Sequence, residues 1–413
     1  MALTTVGIVM CWTCFAACGA SSDAVSPVDK ARDEYLQNLV RSEDDVARFV
    51  ERSWDAGVLS RNLGWTYDRE LGWTLVDSVR EDGVDKSRTY YHYEPDGARA
   101  SIHSRDKVCR IHCYGDSFTH CDQVSDGETW EEYLAAHLQE PLRNYGVGGY
   151  SVYQAYLRMR KVEAVVPAPY IIFNIYDDDH YRNLDVWRSI RVGAKGPVGY
   201  PLPHLRVNVG RGEVVEVPNP AQRPEDLYRL TDFDAVRRTY ADDPILRVSL
   251  VTRGKVEPTD ELVAQVAASF GLSPDAVRAD NLGDRIQKLH AEAALFASRR
   301  IMERVEEFCR ESDRKLLVVL SHGRNGMGDT LSGKPRWDRA FLDFLATRDY
   351  PWVDLRDAHA ADFAQFQGDV PAYIRRYYIG HYNPAGNFFC ATALKDEVVN
   401  WLNPKPLPYR VGQ

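Results

Sequence analysis

The sequence predicts an α/β fold in which a central parallel β-sheet is covered by helices on both faces. From residue 107 onwards, short β-prone segments alternate with segments of helical periodicity, and this alternation is typical of parallel sheets. The chain has 413 residues, of which 44% are hydrophobic. It can therefore bury a large core and exceeds one minimal domain, so we expect one main domain with additions.

Each predicted strand is a short apolar or β-branched run that ends at a turn signal. The predicted strands cover residues 108–114, 142–145, 170–175, 315–320 and 351–354. The helices are predicted where apolar residues recur at helical spacing. They cover residues 128–138, 151–163, 286–311, 335–347 and 384–402.

The beginning of the chain resembles a targeting segment. Residues 1–22 carry no charge, and the apolar run Val6-Gly7-Ile8-Val9-Met10 precedes Cys18. The run is shorter than the about 20 apolar residues that a spanning helix needs, so it indicates an export signal, with Cys18 as lipid anchor in a lipoprotein. We expect an extracytoplasmic location. Because no Lys or Arg precedes the run, an uncleaved tail and a cytoplasmic location stay open.

The rest of the chain divides by composition and periodicity. The expected parts are an N-terminal extension at 23–105, a main domain at 106–402 with an insertion at about 187–283, and a tail at 403–413.

The insertion is longer than a simple crossover between strands requires. Its pattern predicts a β-hairpin over 205–217 and a helical pair over 259–269 and 274–279. Because it follows an Asp-rich loop, we expect it beside the edge of the sheet that carries the site, as a lid or substrate wall. A surface insertion without a function is the alternative.

Charge and motifs exclude several functional classes. The formal net charge is −9 and no basic run of useful length occurs, which argues against a protein that follows nucleic-acid phosphates. The P-loop, the H-E-x-x-H zinc motif and the G-x-S-x-G elbow are all missing from the sequence. We expect neither a nucleic-acid partner nor a cofactor.

Ser117 stands where the first predicted strand gives way to a helix, in the segment Cys113-Tyr114-Gly115-Asp116-Ser117. A hydroxyl in this place is a candidate nucleophile, because a glycine turn permits close backbone approach. Free N–H groups and the positive end of a helix then stabilise a developing oxyanion. The alternative is a serine that only completes a turn.

Two later segments give this serine its context. Asn144-Tyr145-Gly146-Val147-Gly148-Gly149 is a second transition from strand to turn, and His381 lies just before the last predicted helix, next to Asn383-Pro384. Serine, glycine and histidine in this order resemble the blocks of the SGNH (GDSL-type) hydrolases, over about residues 106–402. The resemblance implies a flavodoxin-like α/β/α sandwich with Ser117 as nucleophile and His381 as general base. It also implies that the N–H groups of Ser117 and Gly149 hold the oxyanion.

The sequence departs from this family pattern after the third strand. Members commonly carry an asparagine there, and Asp178 takes its place within Tyr176-Asp177-Asp178-Asp179-His180. Either Asp178 points away, and the third oxyanion donor is lost or supplied by His180 or Asn183, or Asp178 is held protonated by burial and donates its own O–H. A divalent-metal site formed by this segment is a rival interpretation. We set it aside, because adjacent residues of an extended chain point to opposite sides.

A second departure concerns the acid that orients the histidine. Family members place it two or three residues before the histidine, where this chain has Tyr378 and Ile379. A backbone carbonyl or a carboxylate from elsewhere can do part of this task instead. Asp354 and Asp357, near the end of the last predicted strand, are the expected substitutes.

Four residues are candidate substrate contacts: Asp116, His180, Arg324 and Asn325. Arg324 and Asn325 follow the fourth predicted strand at the carboxyl edge, where ligands bind in open α/β sheets. A glycine-rich polar loop needs no such role, and Asp116 is equally explained by fixing the turn.

The resemblance implies a serine esterase acting on a small acyl ester. It suggests an acetyl group on a carbohydrate, so the expected partner is a small-molecule or carbohydrate ester, with membrane contact only through an anchor at Cys18. Two alternatives stay open. One is an O-acyltransferase that uses the same residues on a polysaccharide and excludes water, and the other is a binding protein that has lost catalysis.

Overall fold

The computed structural model describes residues 26–51, 64–196 and 199–410. The predicted signal segment, including Cys18, lies outside the described residues. The strands in the described part are β1 (Trp65–Asp68), β2 (Gly72–Leu75), β3 (Ser78–Arg80), β4 (Thr89–Tyr91), β5 (Ile111–Tyr114), β6 (Leu142–Asn144), β7 (Tyr170–Tyr176), β8 (His204–Asn208), β9 (Glu213–Val217), β10 (Lys315–Ser321) and β11 (Trp352–Asp354).

The helices of the same residues are α1 (Pro27–Leu39), α2 (Glu43–Glu51), α3 (Ser117–His120), α4 (Trp130–Leu138), α5 (Val152–Glu163), α6 (Asp179–Arg182), α7 (Arg188–Val192), α8 (Phe233–Tyr240), α9 (Pro244–Thr252), α10 (Asp260–Ser269), α11 (Leu282–Glu311), α12 (Arg324–Leu331), α13 (Arg339–Leu345), α14 (Leu355–Phe363), α15 (Val370–Tyr377) and α16 (Pro384–Trp401). In the part of the chain that the structure describes, none of them combines the length and the apolar character that crossing a membrane requires.

Five parallel strands form the central sheet, in the spatial order β11-β10-β7-β5-β6. Counted along the chain this is the order 2-1-3-4-5 of flavodoxin-like sheets. The predicted α/β fold class with a parallel central sheet is therefore confirmed. In this topology ligands bind at the carboxyl edge between the first and third strands, which here are β5 and β7.

The two middle strands show why the sheet is covered on both faces. β7 and β10 are almost continuous apolar runs, and their residues are buried on both sides. Successive side chains of a strand point to opposite faces. Accordingly, Phe173 and Val318 belong to one hydrophobic cluster, whereas Ile172 and Leu317 belong to another on the opposite face.

Long amphipathic helices close both layers. The 30-residue α11 starts at Asn281, whose side-chain Oδ1 accepts the Asp284 N–H at 2.8 Å. Its apolar face and that of α5 lie in the first cluster, and those of α4 and α16 lie in the second. The helices therefore bury the two apolar faces of the sheet.

The predicted N-terminal extension packs into the main core. Leu36 of α1, Phe49 of α2 and Trp73 of β2 are buried in the same cluster as the sheet. The Trp73 indole Nε1 donates to the Gly148 carbonyl oxygen at 3.0 Å, and the Tyr150 hydroxyl donates to the Trp73 carbonyl at 2.6 Å. This segment thus buttresses the loop that follows β6.

The insertion adds a hairpin and several helices to the first cluster. The hairpin predicted over 205–217 is observed as β8 paired with β9, and the helix predicted over 259–269 as α10. The prediction of a helix over 274–279 is wrong. This short stretch forms turns, because six residues gain too few i→i−4 hydrogen bonds to offset helix nucleation.

Candidate active site

Ser117 opens helix α3 directly after β5, and it is 4% exposed. The Asp116 carboxylate caps this helix by accepting the Phe118 N–H at 2.8 Å. A Cβ atom at Gly115 would lie 2.5 Å from the Asn174 carbonyl oxygen and would collide with the Thr119 side chain. Glycine is therefore required for the tight turn that presents the serine.

His381 meets Ser117 across 264 positions of sequence. Its Nε2 lies 2.8 Å from the Ser117 Oγ, which is hydrogen-bonding distance for a general base and a nucleophile. The histidine sits on the short loop before α16, and the Asn383 Oδ1 fixes the start of that helix by accepting the Gly386 N–H at 2.9 Å. The structure thus brings together the two residues predicted to be catalytic.

Gln123 contacts His381 on the side of the ring away from Ser117. Its Oε1 accepts the His381 backbone N–H at 2.8 Å and lies 3.2 Å from Nδ1 of the same imidazole. An Nδ1–H that donates to this amide oxygen leaves Nε2 as an acceptor for the Ser117 hydroxyl. Gln123 is itself held by the N-terminal extension, since its N–H donates to the Tyr91 hydroxyl and its Nε2 to the Asp82 carbonyl.

The expectation that Asp354 or Asp357 orients the histidine is wrong. The Asp354 carboxylate is bound to His322 Nε2 at 2.8 Å and to Arg336. Burial alone would raise the pKa of Asp354, but these two partners hold it below its usual range. Asp357 lies exposed on α14. Neither carboxylate reaches the Ser117–His381 pair.

Asp122 places a negative charge beside this site. Its backbone N–H donates to the Ser117 carbonyl at 3.1 Å, and its carboxylate binds Nδ1 of His120. Burial alone would raise the pKa of Asp122. The His120 imidazole and, less strongly, His381 outweigh this effect and hold the pKa below its usual range, so the carboxylate is ionised.

Arg99 anchors the loop that carries Asp122 and Gln123. The buried guanidinium donates to the carbonyl oxygens of His120, Cys121 and Val124 and to the Asp126 carboxylate. Because one rigid guanidinium binds four oxygen atoms of this loop, the loop is fixed in position next to helix α3.

The loops after β5 and β6 lie side by side. The Val147 N–H donates to the Gly115 carbonyl at 3.1 Å, and Gly149 adopts a φ of +84°, which favours glycine. Among the described residues, the N–H groups of Ser117 and Gly149 have no protein acceptor. Both N–H groups are therefore available as donors to a ligand.

Asp178 is ionised and paired. It binds Nε of Arg182 at 2.9 Å and Nη1 of Arg191 at 2.8 Å. Burial would raise the pKa of Asp178, but Arg191, Arg182 and then Arg188 hold it well below its usual range. A carboxylate in this state has no O–H to donate. The prediction of a protonated oxyanion donor is therefore wrong, and the alternative in which Asp178 turns away is favoured.

His180 and Asn183 are not free to act as oxyanion donors in place of Asp178. Both are buried against Ser298, with His180 Nδ1 at 2.7 Å and Asn183 Nδ2 at 2.8 Å from the serine hydroxyl oxygen. Burial lowers the pKa of His180 to about 4, so it is neutral. The predicted donor and substrate-contact roles of His180 are contradicted by this burial.

The other predicted substrate contacts are Asp116, Arg324 and Asn325, and they differ in exposure. Asp116 is fully buried, and its carboxylate lies 3.0 Å from the Ser117 hydroxyl oxygen and accepts a hydrogen bond from the Arg182 guanidinium at 3.0 Å. It fixes the turn, so the predicted substrate contact is wrong. Arg324 and Asn325 lie exposed in the first turn of α12, after β10. Their contact with a substrate stays a prediction.

Comparison with known proteins gives little further information. No protein-family model and no curated protein matches this chain. A solved structure of a G-D-S-L family protein from Desulfitobacterium hafniense DCB-2, to which a lipolytic activity is attributed, aligns with 71% of this chain and all of that chain. The identity is 9% and the TM-score is 0.32. A likeness of this degree assigns neither an activity nor a substrate.

Proposed function

We propose that this chain is a serine esterase that cleaves small acyl esters. The observation that carries the proposal is the 2.8 Å contact between Ser117 Oγ and His381 Nε2, with the opposite ring nitrogen facing the Gln123 amide oxygen. A nucleophile, a base and a group that orients the base are the parts that acyl transfer through a serine needs.

The mechanism follows from these contacts. As Ser117 Oγ attacks the ester carbonyl carbon, its proton passes to His381 Nε2, and the N–H groups of Ser117 and Gly149 stabilise the oxyanion. Collapse of the intermediate breaks the bond to the alcohol, which takes the proton from the imidazolium. A water molecule then loses its proton to His381 and attacks the acyl-enzyme. Collapse of this second intermediate breaks the bond from the acyl carbon to Ser117 Oγ, which takes the proton from His381, and the acid is released.

The surroundings of the serine favour a small acyl group. Ser117 is only 4% exposed. The ring of Phe118 stacks on Tyr176 at 4.6 Å and lies 5.1 Å from His381, measured between ring centroids. These rings leave little room around the nucleophile, so an acetyl ester is the expected substrate.

The same burial supports a second candidate, an O-acyltransferase. A poorly exposed serine limits the access of water to an acyl-enzyme, and transfer to a sugar hydroxyl then competes with hydrolysis. Products formed from an acetyl donor with and without a sugar acceptor separate the two activities. An acetylated sugar identifies the transferase, and free acetate in both reactions identifies the esterase.

The activity is tested with p-nitrophenyl acetate. Ser117→Ala and His381→Ala should each reduce kcat by at least about 1000-fold, because nucleophile and base act as one unit. Ser332→Ala, at an exposed serine that follows α12, is the matched control and should retain the rate. Retained turnover in both site variants, with an intact fold by circular dichroism, would refute the proposal.

A further inference from the structure

The loop that follows β6 carries the Gly149 N–H, and its carbonyl groups are bonded to side chains from other parts of the chain. The Gly148 carbonyl oxygen accepts the Trp73 indole N–H at 3.0 Å, and the Tyr150 carbonyl oxygen accepts Nη1 of Arg182 at 2.9 Å. Both donors are buried, and Trp73 is completely so. The backbone on each side of Gly149 is therefore fixed by a buried side chain.

One of these bonds fixes the direction of the Gly149 N–H. The Gly148 carbonyl and the Gly149 N–H belong to one peptide group, which is planar and trans, so they point in opposite directions. Because the Trp73 indole binds the carbonyl on one side of the loop, the N–H faces the other side. Among the described residues this N–H has no protein acceptor. It is therefore directed away from Trp73 and is available to a ligand.

Trp73 is itself fixed by contacts with the start of helix α5. The Tyr150 hydroxyl donates to the Trp73 carbonyl at 2.6 Å, and the two rings meet edge to face with 5.8 Å between their centroids. The Gln154 Nε2 donates to the Leu71 carbonyl at 2.7 Å, two residues before Trp73. The indole donor is thus in place before any ligand binds, as electrostatic stabilisation of a transition state requires.

Arg182 connects the same loop to the turn that carries the nucleophile. Its Nη1 donates to the Asp116 carboxylate at 3.0 Å as well as to the Tyr150 carbonyl. Asp116 in turn caps the helix that begins at Ser117. The N–H groups of Ser117 and Gly149 are therefore fixed relative to each other.

We propose that Trp73 is a positioning residue for the oxyanion hole, an inference that rests on the proposed esterase function. Trp73 acts through the Gly148 carbonyl and needs no contact with the substrate. The Gly149 N–H donates to the oxyanion of the tetrahedral intermediate only while its peptide group keeps this orientation. The N-terminal extension thereby supports both sides of the site, since it also holds Gln123.

The test is hydrolysis of p-nitrophenyl acetate by Trp73→Phe, which keeps an aromatic ring and removes the indole N–H. Loss of a whole oxyanion donor costs about 100- to 1000-fold in kcat, so a misdirected donor should cost about 10- to 100-fold. kcat and kcat/KM should fall by the same factor, because the bond forms only in the transition state. The pH dependence of kcat/KM should not move, because the surroundings of His381 are unchanged.

A tetrahedral inhibitor distinguishes positioning from a general loss of structure. Methylboronic acid forms an adduct with a nucleophilic serine that imitates the tetrahedral intermediate of an acetyl ester. Trp73→Phe should weaken its inhibition by the same factor by which kcat/KM falls. Trp187→Phe is the matched control, because Trp187 is also buried and donates its indole N–H to the Gly199 carbonyl, at 2.7 Å. It should lose comparable stability and keep both the rate and the inhibition.

Tyr150→Phe decides the matter if Trp73→Phe fails to fold. This change removes only the hydroxyl that donates to the Trp73 carbonyl, and it should lower kcat and boronate inhibition about three- to tenfold. Wild-type kcat and inhibition in folded Trp73→Phe would overturn the proposal, and so would equal losses in Trp187→Phe. If Trp73→Phe does not fold, a wild-type rate in Tyr150→Phe would overturn it.

Hydrogen exchange of residues 146–151, followed by mass spectrometry, tests the positioning without any turnover. Exchange should be faster in Trp73→Phe than in the wild type and unchanged in Trp187→Phe, because only the former bond holds this loop. A wild-type protein without activity would refute the esterase proposal. Unchanged exchange in Trp73→Phe would refute the role of Trp73 whatever the activity, so the two failures are distinct.

Discussion

At the scale of single residues, the central feature is an amide where serine hydrolases usually carry a carboxylate. Gln123 can fix the tautomer and orientation of His381 through its Oε1, but a neutral group cannot compensate the imidazolium that forms during the reaction. The ionised Asp122 lies close enough to His381 for the two charges to interact. In the proposed mechanism, the two tasks of one triad acid are therefore divided between these adjacent residues.

This division predicts the behaviour of two substitutions. Gln123→Glu places a carboxylate beside Nδ1 and raises the pKa of His381, because a neighbouring negative charge favours the protonated ring. Since the base must be neutral to act, the acidic limb of the kcat/KM profile should move to higher pH. Gln123→Ala should lower kcat by about 10- to 100-fold, because the ring loses its orienting partner.

Both variants are measured as pH–rate profiles on p-nitrophenyl acetate, with Gln367→Ala, at an exposed glutamine, as the control. A profile for Gln123→Glu that coincides with the wild type would show that Gln123 does not contact the imidazole in solution.

Sequence reasoning located Ser117 and His381 but missed Gln123, for a physical reason. The two former residues lie at sites that local patterns mark, a glycine turn after a strand and a loop before a helix. Gln123 reaches His381 only because its backbone adopts a φ of +74° and because Tyr91 and Asp82, from the N-terminal extension, hold it. Such tertiary support leaves no short-range signal in the sequence.

At the scale of elements, the site depends on the close approach of the loops after β5 and β6. A Cβ atom at Gly146 would lie 2.7 Å from the Thr119 Cβ and would collide with the His120 backbone nitrogen. Both contacts are with helix α3, which begins at Ser117. The absence of a side chain at Gly146 therefore sets the position of the nucleophile.

Gly146→Ala should accordingly reduce both stability and activity. We expect a loss of about 1–3 kcal/mol in the free energy of unfolding, as for other overpacked sites, and a fall in kcat because α3 must shift. Urea denaturation and steady-state kinetics measure the two effects. Gly328→Ala, on α12 with no atom within 4 Å of the added Cβ, should keep the wild-type rate and should raise stability, because alanine is favoured over glycine inside a helix. Wild-type stability and rate in Gly146→Ala would contradict the described packing of the two loops.

The regular elements were predictable where burial dictates the sequence. The parallel strands at 170–176 and 315–321 are apolar on both faces, because helices cover the sheet on both sides. Asp178 was less predictable, since its partners Arg182, Arg188 and Arg191 become neighbours only through the turns of α6 and α7. A motif position shows which residue is present, whereas its ionisation depends on charges that folding brings near.

At the scale of the whole molecule, the insertion belongs to the core. Leu205, Leu246 and Val263, all within it, are buried in the same hydrophobic cluster as the sheet. The sequence pattern indicated a foldable unit but gave no measure of how much apolar surface it shares with the main domain.

Deletion of residues 195–280 with a short linker should therefore yield an insoluble or non-cooperatively unfolding protein, because the exposed part of the cluster loses its cover. Solubility and thermal denaturation followed by circular dichroism provide the measurement. A soluble deletion variant that unfolds cooperatively near the wild-type temperature would show that the insertion is a separable addition.

The central claim is that Ser117 is a nucleophile activated by His381, and covalent labelling tests it most directly. The full chain is incubated with a fluorophosphonate probe, and the modified peptide is identified by mass spectrometry. We predict a single adduct at Ser117 in the wild type, and labelling slowed by at least about 100-fold in His381→Ala, because the serine is then without its base. An unlabelled Ser117, or an adduct at another serine that His381→Ala leaves unchanged, would contradict the account.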